Sequence, residues 1–253
     1  MSAHQDLHEG TRSALMRAST ATLATLLFKR GLRNQFIQGV FRLSEGRRKL
    51  LGRAFTLRYI PAREDLDVVE AFRDPAHPQR VAVETIPPGS ILVMDCRGDA
   101  SAASAGGILV TRLQVRGVAG MVTDGGLRDS DYVAGLDVPV YCGARSAPTN
   151  LTRHHAVDID VPVGCGGVAV FPGDVLLGDG DGVMVIPSAL VDEIAAEALE
   201  MERFEDFVLD EIRRGEPVIG TYPPNEATRA RYEATCSRAG ADVPTQAVGG
   251  RPR

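Results

Sequence analysis

A loop of small residues, Ala105-Gly106-Gly107, stands at a fixed distance from an Arg-Asp pair, Arg128-Asp129, in the segment GDASAASAGGILVTRLQVRGVAGMVTDGGLRD at residues 98–129. Glycines that open a helix offer bare backbone N–H groups to an anion. An arginine returning to the same point can grip a carboxylate through a two-point fork, and an adjacent aspartate can hold a hard divalent cation. These residue types at this spacing suit a small 2-oxo acid bound beside a metal ion. A plainer reading is also open: Gly-Gly before a helix is often only a turn, and Arg-Asp is often a solvated surface pair.

Other chemistries fall away on inspection. Of the 28 basic residues only Lys29 and Lys49 are lysine. Lys29 ends an amphipathic segment beside Arg30-Gly31, where a cation complements the helix dipole. Lys49 sits in a charged run, so neither resembles the buried amine that Schiff-base chemistry needs. Carbanion chemistry would therefore have to rely on a metal. There is no GxxxxGK[ST] loop, no HExxH and no GxSxG elbow. Gly164-Cys165-Gly166-Gly167-Val168-Ala169 fits a loose GxGxxA, but a strand and a Pro-Gly turn follow where a dinucleotide fold needs a helix. A hairpin or bulge is expected there. His154-His155 reads as an exposed loop pair before a strand, since adjacent side chains in an extended chain point to opposite faces. Gly178-Asp179-Gly180-Asp181-Gly182 lacks the further ligands of a calcium loop and reads as a tight turn.

The elements that must position these residues follow from pattern. Ser19 is expected to cap a helix over 20–29 that Gly31 ends. Residues 53–59 alternate as a strand, 65–73 read as a short helix, and 75–78 lie in a polar loop. Residues 90–95 form a buried strand, 107–116 a helix, 120–124 a strand, and a short helix starts at Ser130. Strands follow at 138–142, 156–163, 168–171, 175–177 and 183–186. A long helix is expected from a Ser188 cap to about Arg214, with acids on its solvated face. Residues 1–12 and 235–253 read as flexible tails around one domain at 13–234.

The chain has 253 residues, a net charge of −5, 5% aromatics and no Trp, which argues against a nucleic-acid surface. Cys96, Cys142, Cys165 and Cys236 show no CxxC spacing, so no zinc site or disulfide framework is indicated. No apolar run reaches transmembrane length. A reducing cytoplasm, with no nucleic-acid or membrane partner, is the expected setting.

The glycine-loop and Arg-Asp segment, together with GRAFTLRY, PPGSILVMD, GDVLLGDGDGVMVIP and YPPNEATRARYEA, resembles the RraA-like proteins. That superfamily is shared with 4-hydroxy-4-methyl-2-oxoglutarate/4-carboxy-4-hydroxy-2-oxoadipate aldolase, and the resemblance covers roughly 15–235. It implies an α/β fold, a single-domain α/β/β sandwich of the swivelling type with mixed sheets, assembling as a homotrimer or hexamer with its site at a subunit boundary. Carried over by position, the resemblance implies that the backbone of Gly106, Gly107, Ile108 and Leu109 binds the substrate. Arg128 would clamp and polarise it as the catalytic residue, Asp129 would hold Mg²⁺ or Mn²⁺, and Asp124 would be a structural acid. The aldolase branch carries an aspartate twenty-one residues before the arginine, where this chain has Gly107; Asp99 or Asp131 would have to handle the proton instead. The leading expectation is a divalent-metal-dependent lyase releasing pyruvate from a 4-hydroxy-2-oxo acid, able also to decarboxylate oxaloacetate. The alternative is a non-catalytic regulator that binds a ribonuclease.

Overall fold

A computed structural model describes residues 6–46 and 48–241. The chain divides into two compact units, residues 1–199 and 200–253. In the first unit α1 (Glu9–Arg17), α2 (Thr20–Lys29) and β1 (Phe41–Arg42) lead into the long strand β2 (Leu50–Pro61). A 3-10 turn at Val69–Arg73 and α3 (Pro78–Thr85) follow. A recurring pattern then begins: β3 (Ile91–Asp95), β4 (Ala103–Ala105), α4 (Gly107–Val115), β5 (Gly120–Thr123), β6 (Gly126–Leu127), α5 (Ser130–Ala134), β7 (Val140–Cys142) and β8 (Ala144–Arg145). The remaining strands are β9 (His154–Ile159), β10 (Val163–Cys165), β11 (Val168–Val170), β12 (Val175–Gly178) and β13 (Val183–Ile186). α6 (Val191–Arg213) carries the chain into the second unit, where α7 (Val218–Thr221) and α8 (Glu226–Ala241) follow.

The large sheet is mixed. β2, β3, β5 and β7 are parallel neighbours, while β12 and β9 pair antiparallel with β2, β13 with β12, and β1 with β7. A strand's side chains alternate between faces, so a sheet covered on both sides needs apolar residues at every position. One face carries Phe55, Leu57, Tyr59, Leu92, Met94 and Met121, covered by Ala82, Val83 and Ile86 of the α3 region, Val110 and Leu113 of α4, and Val133 of α5. The other carries Ala54, Ile91, Val93 and Val122, covered by the β10–β11 hairpin through Val163, Cys165, Val168 and Val170. Helices, sheet and hairpin make the expected α/β layering, with the GxGxxA-like segment in the hairpin.

Each of β3, β5 and β7 runs through a turn into a short strand of a second, parallel sheet ordered β4-β6-β8. Asp124 ties two of these turns to the β10–β11 hairpin. Its buried carboxylate accepts the amides of Cys96 (2.6 Å), Gly98 (2.9 Å) and Gly166 (3.1 Å), joining the β3–β4 loop, the β5–β6 turn and the hairpin.

Several boundaries differ from the sequence reading. α1 begins at Glu9, so residues 9–12 are helical, anchored through Ala14 and Leu15 in the core. The tail expectation for 1–5 and 242–253 lies outside the described residues, while α8 extends past Thr235. The second unit gathers Phe204, Phe207 and Tyr232 into a small aromatic cluster. Residues 156–163 are not one strand, because Asp160 adopts a left-handed backbone (φ 55) between β9 and β10. Ser188 opens a 3-10 turn and α6 starts at Val191. His154 is buried in β9 against the Tyr59 ring, while His155 on the other face meets Asp67 at 2.9 Å, so the pair is not an exposed loop. Ser19 does cap α2, its Oγ accepting from the Thr22 amide.

Asp124→Ala would leave three amides without their acceptor, that of Cys96 in the core and those of Gly98 and Gly166 nearer the surface, at a cost on the order of 3 kcal/mol or more. Calorimetry should find Tm lower by roughly 6 °C or more for a chain of this size. An unchanged Tm would mean that the three turns hold one another without it.

Candidate functional site

The parallel strands point their carboxyl ends at β4, β6 and β8, and the site lies there, where open α/β sheets place their ligands. β4 delivers Gly106, the N-cap of α4, and β6 delivers Arg128 and Asp129. The Arg128 amide donates to the Ala105 carbonyl (3.2 Å), so the two segments lie side by side. A Cβ on Gly106 would come within 2.8 Å of both Cγ and Nε of Arg128 and 2.7 Å of Asp129 Oδ2. The glycine is thus required by the closeness of the Arg-Asp pair.

Asp129 takes a left-handed conformation (φ 57, ψ 36), which Asp tolerates better than most residues. That twist turns its Oδ2 onto the Gly107 amide at 2.9 Å. Arg128 Nε stands 3.9 Å from the same oxygen, and both side chains are about half exposed, at 46% and 50%. The amides of Ile108 and Leu109 belong to the first turn of α4, where no carbonyl one turn back can receive them. Gly106, Gly107, Ile108, Leu109, Arg128 and Asp129 are therefore brought together. Except for Gly107, whose Cα faces the opening beside Tyr132, they line one pocket of about 130 Å³.

Gln79, Arg80 and Asn150 are among the residues of that pocket that the sequence analysis does not name. Gln79 and Arg80 come from α3, just past the polar loop expected at 75–78. Gln79 is buried, its Nε2 donating to the Ser104 carbonyl (2.7 Å) and the Tyr59 hydroxyl (3.1 Å), which locks α3 against β4. Arg80 then reaches the pocket with its guanidinium over the Phe72 ring, 4.5 Å from the centroid. Burial pulls its pKa below the ordinary value, and the like charge of Arg128 adds to the effect. Asn150 arrives beside β4 through a bridge between Ala103 and Thr149. The one available signal was Pro78 at the first helical position, followed by apolar Ala82, Val83 and Ile86.

Neither Asp99 nor Asp131 lines the pocket; Asp99 instead accepts the Ser101 amide (3.0 Å) and Asp131 is exposed in the first turn of α5. A Cβ at Gly107 would meet the Tyr132 ring at 2.9 Å, so the place where an aspartate was looked for is closed by Tyr132. The Tyr132 hydroxyl rests 3.2 Å from that of Thr111. Lys49 donates to the Ala18 carbonyl and Lys29 lies on α2, both away from the pocket lining. Among the described residues no group of three or more His, Cys, Asp or Glu side chains could hold a metal. The donor set is one carboxylate, with Oδ2 of Asp129 already engaged. That suits Mg²⁺ or Mn²⁺ kept largely by water and ligand oxygens, and does not suit a cation caged by protein alone. No described helix is long and apolar enough to cross a membrane.

Known proteins are similar to this chain in sequence and in fold. A protein of Halalkalibacterium halodurans named "Putative 4-hydroxy-4-methyl-2-oxoglutarate aldolase" is 38% identical over 112 residues, 44% of this chain and 52% of that protein. The chain thus spans about half of that relative's length. A Burkholderia mallei protein of the same name is 34% identical over 156 residues, covering 62% of this chain and 86% of its own. Among solved structures, Streptomyces coelicolor RraAS2, described as an unusual member of the RNase ES inhibitor RraA protein family, superposes with a TM-score of 0.70. It is 31% identical and covers 80% of this chain and 97% of its own. The family model for Aldolase/RraA matches residues 20–185, a stretch holding every residue of the pocket. The chain belongs to the RraA-like family.

Proposed function

We propose that the pocket binds a 2-oxo acid and acts as a divalent-metal-dependent carbon–carbon lyase, releasing pyruvate from a 4-hydroxy-2-oxo acid or from oxaloacetate. The observation that carries this reading is the convergence of Arg128, Asp129 and the free α4 amides on one small pocket. The amides of Ile108 and Leu109 receive substrate oxygens at a helix N-terminus, where partial positive charge gathers. Arg128 forks onto the carboxylate and stabilises negative charge as the enolate develops. Asp129, with one oxygen fixed by Gly107, has the other for Mg²⁺ or Mn²⁺, whose Lewis acidity would polarise the 2-oxo group. No carboxylate beyond Asp129 lines the pocket, so proton transfer to the product falls to water or to a group from another subunit.

Assembly as a homotrimer or hexamer belongs to the same proposal. Ile108 (82% exposed) and Tyr132 (57% exposed) leave an apolar rim beside Gly107, and a second copy covering it would close the site. The second reading, a protein-binding regulator, is favoured by the likeness to RraAS2 and by Tyr132 closing the space at Gly107.

Purified protein with Mg²⁺ and oxaloacetate separates the two: pyruvate release is expected, and silence across several 2-oxo acids would favour the regulator. EDTA should abolish turnover, and borohydride with pyruvate should leave the mass unchanged; an adduct on Lys29 or Lys49 would overturn the metal-dependent route. Arg128→Lys keeps charge but loses the fork. Its kcat/KM should fall a hundred- to thousandfold, the equivalent of about 2.7–4 kcal/mol. Asp129→Asn should regain part of its activity when Mg²⁺ or Mn²⁺ is raised, while extra metal should do nothing for Arg128→Lys. Sedimentation should give a trimer or hexamer, and a 27.0 kDa monomer alone would count against the shared site.

A further inference from the structure

The pocket holds more unmet donor capacity than one carboxylate can use. Arg80 lines it half-buried, stacked on Phe72, and no carboxylate of the described residues pairs with it. Asn150 is 4% exposed and lines the same pocket; its Oδ1 accepts from the Thr149 hydroxyl (3.2 Å), but its Nδ2 has no hydrogen-bond partner. A buried amide left without an acceptor is costly, and such groups in native proteins call for an explanation.

Gln79 does not share this condition, because Tyr59 and Ser104 satisfy its amide. Phe72 supplies a flat apolar support that keeps the guanidinium oriented without neutralising it. Two arginines in one small pocket repel each other unless anions lie between or beside them. The single acid there, Asp129, is already bonded to Gly107 and stands beside Arg128. A ligand with one carboxylate on Arg128 and the α4 amides would leave Arg80 and Asn150 as they are. A ligand with two would give Arg80 its partner.

We propose that Arg80, in a pocket that Asn150 also lines, forms a second carboxylate subsite and is the specificity-determining residue of this pocket, selecting dicarboxylic over monocarboxylic 2-oxo and 2-hydroxy acids. The inference rests on the reading of Arg128 and the α4 N-terminus as the subsite for the first carboxylate. It requires no turnover, so binding tests it directly.

Calorimetric titration with malate and with lactate, in the presence of Mg²⁺, compares two unreactive 2-hydroxy acids that differ by one carboxylate. The intact protein should prefer malate by roughly ten- to hundredfold, as expected of a charge-assisted pair. Arg80→Gln should bring that ratio close to one. Arg80→Lys, which keeps the charge without the fork, should retain part of it. Arg112→Gln removes an exposed arginine that pairs with Glu84 outside the pocket, and should leave the ratio in place. Equal binding of the two acids, binding of neither, or a malate preference that survives Arg80→Gln would overturn the proposal. Should Arg80→Gln fail to fold, an undiminished preference in Arg80→Lys would do the same. Loss of the preference in a protein that turns over no 2-oxo acid would retire the lyase reading and leave the subsite standing. Oxaloacetate turnover with the preference intact in Arg80→Gln would do the reverse.

Discussion

The buried carboxylate of Asp124 is the constraint from which the site follows. Burial pushes its pKa up, while the amides of Cys96, Gly98 and Gly166 draw it down. Two of those donors lie in the β3–β4 loop and the third in the β10–β11 hairpin, so one side chain ties together turns that the sheet and the hairpin packing bring near. With those turns tied, the β3–β4 loop and the β5–β6 turn leave the main sheet together. Their short strands then pair, and Gly106 is delivered against Arg128. The Ser104 hydroxyl reinforces the arrangement, donating to the Gly126 carbonyl (3.0 Å) and lying 2.9 Å from the Thr123 hydroxyl. Arg128 and Asp129 are half exposed; Asp124 and Ser104, which place them, are buried.

Much of this was legible in the residues, for physical reasons that can be named. Ser19 before an apolar run and Gly31 after it mark a helix because a hydroxyl and a left-handed glycine satisfy the orphaned ends. The strands at 90–95 and 183–186 were readable because a sheet covered on both faces favours short apolar runs such as Ile91–Met94 and Val183–Ile186. The pairing of the glycine loop with Arg128-Asp129 was readable because both kinds of residue are costly to place at random: one removes a side chain to permit close approach, the other tolerates a left-handed backbone.

What escaped the sequence was the contribution of α3. Its eight residues carry too few apolar positions to show a helical period, and Pro75 and Pro78 suggest a loop. Gln79 looks like a surface residue until the Ser104 carbonyl and the Tyr59 hydroxyl are seen to bury it. Arg80 was indistinguishable from the other arginines of an arginine-rich chain; its neighbour's hydrogen bonds, and not its own pattern, bring it to the pocket. His154 was misjudged for a similar reason. Its burial depends on β9 pairing with the far end of β2, a contact some hundred residues away in sequence that no local signal reports.

The strand, short strand and helix that recur along β3–β4–α4 and β5–β6–α5 confine the whole pocket to the stretch between Phe72 and Asn150. The strands β12 and β13 contribute nothing to its lining. The pocket is therefore a contiguous cassette seated on a sheet that other parts of the chain complete. Drift, insertion or exchange within that cassette could retune what is bound while the far edge of the sheet, antiparallel and closed by its own hairpin, goes on folding as before. A family that shares one scaffold between proteins named for catalysis and proteins named for inhibition is what such an arrangement permits.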